Sequence, residues 1–155
     1  VSPELLTQEL LARINLTVAA AASIQIPAIG NLWQGGGTYA GVVRGDAGPD
    51  YHLIVHGDEI AESTWDNAMR WAKELCEQEQ FDWSLPSRAE QAVMFGNVPE
   101  LFQKGAYWSN TQYAGAAGYA WCQYFDDGLQ YSNLKHSELR ARAVRRLNLS
   151  NSPIQ

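Results

Sequence analysis

Two histidines spaced four residues apart are the first candidates for chemistry in this chain. His52 and His56 lie within and directly after residues 51–55, a run rich in β-branched and aromatic side chains that predicts a strand. On a strand, residues four apart are separated by roughly 13 Å, so the two imidazoles cannot bind one metal ion. We therefore predict no metal site and no cofactor.

Nucleophile and phosphate-binding motifs are missing from the sequence. No Gly-x-Ser-x-Gly elbow occurs, which is the usual signature of an activated serine on an α/β sheet. The run Gly35-Gly36-Gly37 lacks the Lys-Ser or Lys-Thr pair that completes a phosphate-binding loop. The chain is therefore not expected to be an enzyme.

The two cysteines fall in different predicted elements. Cys76 lies on the apolar side of a predicted helix, and Cys122 lies within a predicted strand. We expect both to be buried free thiols, and a disulfide between them is the alternative.

Aromatic residues are more numerous than one small core requires. The 155 residues include six Trp and seven Tyr, while only 18% of the residues are charged. Trp and Tyr at a surface favour contacts with partners or sugars, because each combines a large apolar body with a polar group. The formal net charge of -6 disfavours direct nucleic-acid binding, which requires a concentrated basic face.

Helix signals open the chain. Ser2, Pro3 and Glu4 supply a cap, a proline at the first helical position and an acidic first turn. An apolar stripe follows within residues 3–14, and its members are Leu5, Leu6, Leu10, Leu11 and Ile14. The stripe must pack either on the rest of the chain or on copies of itself, which would form a homo-oligomer. Residues 23–29 are compatible with an edge strand.

A hairpin and a helix are predicted next. Residues 38–43 and 51–55 are β-rich runs joined by a segment of Gly, Asp and Pro that favours a turn. A helix beginning at Ser63 is predicted by apolar residues at helical spacing, namely Trp65, Ala68, Met69, Ala72, Leu75 and Cys76.

A second helix is predicted to begin at a fixed corner. Ser87 and Glu90 have the spacing of a capping box, in which each side chain bonds a backbone N–H at the helix start. Trp83 and Leu85 precede Pro86 and, being two residues apart, are expected to face the core together.

Strands dominate the last third. Residues 106–109, 119–125 and 142–147 are predicted strands, separated by turns at residues 115–118 and 126–128. The order of hairpin, two helices and antiparallel strands predicts an α+β domain. We assign residues 1–22 to an N-terminal helix, residues 23–150 to the domain, and residues 151–155 to a tail.

Several separated motifs together are similar to one family. They are Trp65-Asp66-Asn67-Ala68, Trp83-Ser84-Leu85-Pro86-Ser87-Arg88-Ala89-Glu90, Tyr107-Trp108-Ser109, Phe125-Asp126-Asp127-Gly128 and Arg142-Ala143-Val144-Arg145. In this order, over residues 38–147, they resemble the C-type lectin-like domains of phage-encoded proteins and of the C-terminus of a bacterial collagen-like adhesin. The resemblance implies a C-type lectin-like fold, in which two helices flank antiparallel strands and long loops present a variable surface.

The resemblance implies a binding surface within residues 109–138, since the loops of this family usually bind sugars or proteins. The candidate ligand-binding residues are Tyr113, Tyr119, Tyr124, Asp126, Asp127, Tyr131, Asn133, Lys135 and His136. Tyrosines among Gly, Ser and Asn give a large contact area with little loss of side-chain entropy.

Two features of the family are missing here. The family often places a cysteine between the closing arginines to pair with one in the first helix, but this chain has Ala143 there, so Cys76 lacks that partner. The calcium-binding motifs of animal relatives are also absent, and only Trp108-Ser109-Asn110 remains. A calcium site is therefore not predicted, although Asp126 and Asp127 have ligand oxygens of the right kind.

Two functions fit the sequence well, and a modifying enzyme that uses the same fold is a third and weaker alternative. The first is a non-enzymatic recognition module, encoded by a phage or prophage and displayed on a virion, that binds a host surface glycan or protein through its C-terminal loops. The second is an acidic intracellular phage protein that binds and blocks a host protein.

The expected location is the virion or the host cytoplasm. Glu4 and Glu9 precede alanine-rich residues 16–29 at the position where a signal peptide would be basic, so no signal peptide is predicted. No run approaches the roughly 20 apolar residues that span a membrane.

Overall fold

Helix α1 spans Pro3–Ala22 in a computed structural model that describes residues 2–22 and 25–149. The helix ends at Ala22, the last residue of the segment assigned to it, and alanine, the best helix former, occupies its last four positions. Ser2 Oγ caps the start by accepting a hydrogen bond from the Leu5 N–H at 3.2 Å. No helix within these described ranges is both long enough and apolar enough to cross a membrane.

The apolar stripe of α1 is left open by the described part of the chain. Its five large side chains are between 49% and 58% exposed: Leu5, Leu6, Leu10, Leu11 and Ile14. The described part of the domain therefore does not bury this stripe. The tail predicted at residues 151–155 lies outside the described residues.

Six strands form one sheet in the order β1-β2-β6-β3-β4-β5. Their bounds are β1 Thr38–Val43, β2 Tyr51–Ser63, β3 Ala106–Gln112, β4 Tyr119–Tyr124, β5 Gln130–Leu134 and β6 Leu139–Asn148. The predicted hairpin is confirmed, since β1 and β2 pair in antiparallel fashion from Thr38 opposite Val55 to Val43 opposite Tyr51. The predicted α+β class is confirmed as well.

The prediction of a purely antiparallel sheet is wrong at one place. Strands β3 and β6 run parallel and meet at a single register pair, Tyr107 and Arg140. The sheet is therefore mixed. Apolar alternation predicts which residues form strands, but it does not specify the direction of the neighbouring strand.

Residues 25–29 do not form the predicted edge strand. Instead, the chain turns at Gly30, whose N–H donates to the Tyr39 carbonyl at 2.8 Å, and Leu32 forms an isolated bridge with Thr38. Residues 23 and 24 of the predicted strand lie outside the described ranges.

Two helices cover opposite faces of the sheet. Helix α2 spans Trp65–Lys73 and α3 spans Arg88–Asn97, followed by a single 3-10 turn at Pro99–Leu101. Ala68 and Ala72 of α2 are buried and pack in one core cluster with Trp83 and Trp108. The second cluster contains Met94 of α3 and Val98, which directly follows that helix, together with Leu53, Val55 and Val144 of the central strands. Each face of the sheet therefore has its own apolar layer.

The α2 helix ends before the predicted stripe does. Leu75 and Cys76 lie beyond Lys73, because the chain reverses in a tight turn at residues 77–80, where Gln80 N–H donates to the Glu77 carbonyl at 2.9 Å. Cys76 is consequently exposed, so the expectation that both thiols are buried is wrong for this residue. Cys122 is buried, burial raises the pKa of its thiol to about 11, and both cysteines are free.

The corner before α3 is confirmed as predicted. Glu90 N–H donates to Ser87 Oγ at 3.1 Å, and Ser87 N–H donates to Glu90 Oε1 at 2.8 Å, which completes the capping box. Trp83 and Leu85 are fully buried. The corner is bound to the sheet, because Ser84 exchanges two backbone hydrogen bonds with Val144 of β6.

Candidate functional site

The β4–β5 hairpin divides the predicted binding residues between its two faces. Tyr119 lies opposite Leu134, and Cys122 lies opposite Tyr131 in this antiparallel pair. Since side chains alternate along a strand, Tyr119 and Trp121 share one face, while Tyr124, Tyr131 and Asn133 share the other. The structure therefore does not bring all nine predicted residues into one site.

On the first face, three aromatic rings are in contact, and we call Tyr113, Tyr119 and Trp121 the aromatic ridge. The Tyr113 ring lies 6.3 Å from that of Tyr119 and 5.3 Å from that of Trp121, both with edge-to-face geometry. Tyr119 is exposed, and Tyr113 and Trp121 are partly exposed. Such pairs stabilise one another by about 0.5–1.5 kcal/mol, so the ridge has a defined shape.

The ridge continues onto the first turn of α3. The guanidinium carbon of Arg88 lies 3.5 Å from the Trp121 ring centroid. Arg88 Nε donates to Gln130 Oε1 at 2.9 Å, and Gln130 Nε2 donates to the Arg88 carbonyl at 2.8 Å. A stacked and hydrogen-bonded arginine of this kind loses little further entropy when it binds a ligand.

A hydrogen-bond network of three glutamines connects Arg88 to the core. Gln130 Nε2 also donates to Gln123 Oε1 at 2.8 Å, and Gln123 Nε2 donates to the Gln91 carbonyl at 2.8 Å. Gln91 Nε2 in turn donates to the Tyr107 carbonyl at 3.0 Å. Gln91 and Gln123 are fully buried, so this network fixes the surface guanidinium relative to the core.

The loop that carries Tyr113 is held by one amide group. Gln112 Nε2 lies 2.8 Å, 3.0 Å, 3.3 Å and 2.9 Å from the carbonyl oxygens of Tyr113, Ala116, Ala117 and Tyr119, respectively. An amide has only two protons, so these four contacts share them. Because these carbonyl groups all contact Gln112, the β3–β4 loop is closed around this side chain, and the position of the ridge is fixed.

Lys135 and His136 lie at the same end of the hairpin as the ridge. Lys135 N–H donates to the Gly118 carbonyl at 2.9 Å, and its own carbonyl accepts from Trp65 N–H at 2.8 Å. The Lys135 ammonium lies 4.6 Å from the Trp65 ring centroid, while His136 is exposed in the turn that follows β5.

The second face and the far turn hold the remaining predicted residues. The rings of Tyr124 and Tyr131 lie 5.7 Å apart in edge-to-face geometry. Asp126 Oδ1 accepts from Gly105 N–H at 2.7 Å, and Asp127 Oδ1 accepts from Leu129 N–H at 3.0 Å. Both carboxylates therefore help to shape the turn. Across residues 2–22 and 25–149, no group of three or more His, Cys, Asp or Glu side chains is placed to hold a metal ion.

The two histidines of β2 are buried at separate places. His52 Nδ1 lies 2.7 Å from the Tyr39 hydroxyl, and burial lowers the pKa of His52. His56 Nδ1 accepts from Asp58 N–H at 2.9 Å, which leaves its Nε2 facing Glu77 Oε2 at 3.7 Å.

A buried ion pair lies directly beneath the start of α3. Arg146 Nε and Nη2 donate to the two oxygens of Glu90 at 2.6 Å and 2.7 Å, and the Tyr51 hydroxyl donates to Glu90 Oε2 at 2.7 Å. Burial raises the pKa of Glu90, but the hydrogen bonds and positive charge of Arg146 outweigh it, and the pKa is lowered overall. The other three arginines of β6, Arg140, Arg142 and Arg145, are also engaged with protein oxygens.

Sequence reasoning missed Arg88, Gln130 and Trp121 as site residues. The capping-box spacing of Ser87 and Glu90 predicts only that Arg88 begins a helix. Trp121 does alternate in phase with Tyr119 on a predicted strand, which was the one available signal that the two share a surface.

The fold and this surface define a small α+β domain that presents a rigid, aromatic and cationic patch at one end of a mixed sheet. The family model of the Lcl C-terminal domain matches residues 32–145, which is more than half of the chain, and the chain belongs to this family. No curated protein matches it.

Proposed function

We propose that this chain is a non-enzymatic recognition module, encoded by a phage or prophage, that binds a glycan or protein on a host surface. The observation that carries the proposal is the stack of Arg88 on Trp121, at 3.5 Å, next to the ring of Tyr113. Its position is maintained by protein hydrogen bonds alone, so the surface is organised before any partner arrives. Membership of the Lcl C-terminal domain family is compatible with a binding role.

We also propose that the fold is C-type lectin-like. Support comes from the two helices on opposite faces of the sheet and from the motif order across residues 38–147. The matched family region at residues 32–145 overlaps that range.

The binding surface, in this proposal, centres on the ridge end of the hairpin. Tyr113 and Tyr119 supply apolar contact area with two polar hydroxyl groups. The turn with Lys135 and His136 lies at the same end of the hairpin, and the Lys135 ammonium there stacks on Trp65. Aromatic and arginine side chains that are held rigidly contribute disproportionately to binding energy. We place Tyr124, Asp126, Asp127, Tyr131 and Asn133 outside the centre, since they lie on the opposite face or in the far turn.

The competing proposal is an acidic phage protein that binds and blocks a host protein inside the cell. The net charge of -6 favours it, because an acidic surface attracts a basic partner and speeds its association. On this proposal the partner would contact acidic side chains rather than the ridge.

An experiment with intact cells separates the two proposals. The full chain, labelled with a fluorophore on exposed Cys76, is incubated with intact bacteria of several strains and, separately, with their clarified lysates. Surface recognition predicts saturable binding to intact cells of at least one strain. Saturable binding to a lysate protein with none to intact cells would support the intracellular blocker instead.

A further inference from the structure

Strand β5 forms an open edge of the sheet. It is the last strand in the order β1-β2-β6-β3-β4-β5, and in the described part of the chain it pairs with β4 alone. The other outer strand, β1, is covered. Tyr39 N–H donates to the Asn31 carbonyl at 2.9 Å, and the Tyr39 carbonyl accepts from Gly30 N–H at 2.8 Å. The Asn97 amide also donates to the Ala40 carbonyl at 2.8 Å. Of the two outer strands, β5 is therefore the one that can accept another strand.

The backbone groups on the open side of β5 are regularly spaced. Lys135 N–H and the Leu129 carbonyl each form a 2.9 Å hydrogen bond on the β4 side, so residues 129, 131, 133 and 135 face that side. Hydrogen-bonding direction alternates along an antiparallel strand, so the N–H groups of Gln130, Ser132 and Leu134 point the other way. Within residues 2–22 and 25–149 these three N–H groups have no backbone partner. We call this open side of residues 129–135 the β5 edge.

The β5 edge lacks the features that normally protect an edge strand. Gln130–Leu134 contains no charged residue and no proline, and its pairing with β4 proceeds without a register shift. Proteins usually place lysine, proline or a bulge on an open edge to prevent another strand from adding to it. Here large apolar side chains flank the edge instead: Leu129 is 51% exposed and Tyr131 is 50% exposed. An extended segment with apolar residues at alternate positions would satisfy the outward backbone groups and cover these side chains.

The two ends of the β5 edge carry opposite charges. Asp126 and Asp127 are exposed in the turn before the strand, where each accepts a backbone hydrogen bond on Oδ1. Lys135 directly follows the strand, and its ammonium lies over the Trp65 ring without an ion pair among the described residues. An antiparallel strand added here would run from the Lys135 end to the Asp127 end. Charge complementarity therefore favours a segment that begins with an acidic residue and ends with a basic one.

We propose that the β5 edge binds an extended segment of a partner protein, which adds to the sheet as a further antiparallel strand. The segment has apolar residues at alternate positions, an acidic residue at its N-terminal end and a basic residue at its C-terminal end. Main-chain hydrogen bonds supply the affinity, while Leu129, Tyr131 and the charged ends of the edge select the sequence. This interaction goes beyond the proposed function, because it uses a surface other than the aromatic ridge and a second partner.

The test measures binding of labelled peptides to the full chain by fluorescence anisotropy. The probe is the capped heptapeptide Glu-Thr-Val-Ser-Val-Thr-Lys. With its serine opposite Ser132, its glutamate lies opposite Lys135 and its valines lie on the Tyr131 side of the sheet. N-methylation of the serine and both threonines removes the N–H groups that face β5 and should weaken binding at least about tenfold. N-methylation of the two valines, whose N–H groups face away from β5, is the matched control and should leave binding unchanged.

The order of charges is tested with a second peptide in which the terminal glutamate and lysine are exchanged. It has the same composition and should bind about threefold more weakly, as expected for the loss of two exposed ion pairs. Lys135→Glu should remove this preference. Lys73→Glu is the matched control, because Lys73 is exposed in the last turn of α2, at the far end of that helix from Trp65. It should retain the preference.

Ser132→Pro tests the edge from the protein side. Proline is tolerated on an edge strand where the N–H faces solvent, and here it removes the central outward donor. The variant should bind the heptapeptide at least about tenfold more weakly while a thermal melt confirms that it is folded. Should Ser132→Pro fail to fold, the two N-methylated peptides still decide the question with the natural chain. Absence of heptapeptide binding, equal binding of the two N-methylated peptides, or equal binding of the charge-exchanged peptide would overturn the proposal.

Discussion

The Arg88 guanidinium lies 3.5 Å from the centroid of the Trp121 ring and thereby joins the start of α3 to the middle of β4. The two residues are far apart in the chain, and neither has the spacing of a known binding motif. Their contact depends on the sheet order, which places β4 and β5 beside the helix start. A cation held over an aromatic ring contributes about 0.5–2 kcal/mol, depending on exposure.

Replacing Trp83 by alanine should destabilise the fold rather than a binding site. Trp83 is 2% exposed and packs in the larger core cluster, so Trp83→Ala should lower the free energy of unfolding by about 3–5 kcal/mol. The comparison is Tyr131→Ala, which should cost about 1 kcal/mol or less because Tyr131 is 50% exposed. Urea denaturation of both variants measures this, and the opposite ranking would refute the assignment of core and surface.

The capping box and the apolar stripe of α2 were predictable because they depend on local information. Ser87 and Glu90 are three residues apart, and the stripe that includes Ala68 and Ala72 repeats at helical spacing. The α2 end was not predictable, because Leu75 and Cys76 continue the pattern while the turn at residues 77–80 removes them from the helix.

Strand β5 was not among the predicted strands, and its absence has the same cause as the missed site residues. Residues 130–134 form β5 although Ser132 and Asn133 are poor strand formers, because pairing with β4 supplies the hydrogen bonds. That same strand brings Gln130 to Arg88. Long-range pairing therefore assembled the site, and neither composition nor periodicity contains that information.

The two thiols should differ sharply in reactivity. Cys76 is exposed, whereas Cys122 is buried and its thiol has a pKa raised to about 11, so little thiolate exists at neutral pH. A maleimide at pH 7 should modify Cys76 rapidly and Cys122 only after denaturation, as peptide mass spectrometry would show. Intact mass of the unreduced chain provides the check: a loss of two hydrogens with a peptide linking Cys76 to Cys122 would disprove the free-thiol assignment.

Stability should fall in acid through Glu90. Its pKa in the folded chain is below the ordinary value of 4.5, so the unfolded chain binds the proton first as the pH falls. The stabilisation is therefore complete above the ordinary value and is lost as the pH falls through the lower folded-state pKa.

Glu90→Gln tests this contribution. At pH 7 the substitution should lower the free energy of unfolding by about 3 kcal/mol, which is the low end for breaking a buried ion pair. The low end applies because the Arg146 side chain is 32% exposed, so water can solvate its charge. Urea midpoints from pH 7 to pH 3 should then decline less steeply for Glu90→Gln than for the natural chain. If the urea midpoints of both proteins decline equally with pH, carboxylates other than Glu90 cause the loss of stability in acid.

Copies of the chain should associate through α1. The side chains of Leu6, Leu10 and Ile14 are each about half exposed. Helices with an exposed apolar stripe commonly pack stripe against stripe, which buries the apolar side chains. Sedimentation velocity should show an oligomer that becomes a monomer when these three residues are changed to serine. Gln8→Ser, on the opposite side of the helix, is the control and should retain the oligomer. A monomeric natural chain over the accessible concentration range would exclude this interface.

Binding by the aromatic ridge is tested most directly by comparing two variants on opposite faces of one hairpin. Tyr113→Ala combined with Tyr119→Ala removes two rings of the ridge, while Tyr131→Ala removes one exposed ring from the other face. Binding of each labelled protein to an intact strain that the natural chain binds is measured by flow cytometry, with thermal melts as the check on folding. The account predicts at least about a tenfold loss of affinity for the ridge variant and an unchanged affinity for Tyr131→Ala. Normal cell binding by a folded ridge variant, or an equal loss in Tyr131→Ala, would contradict it.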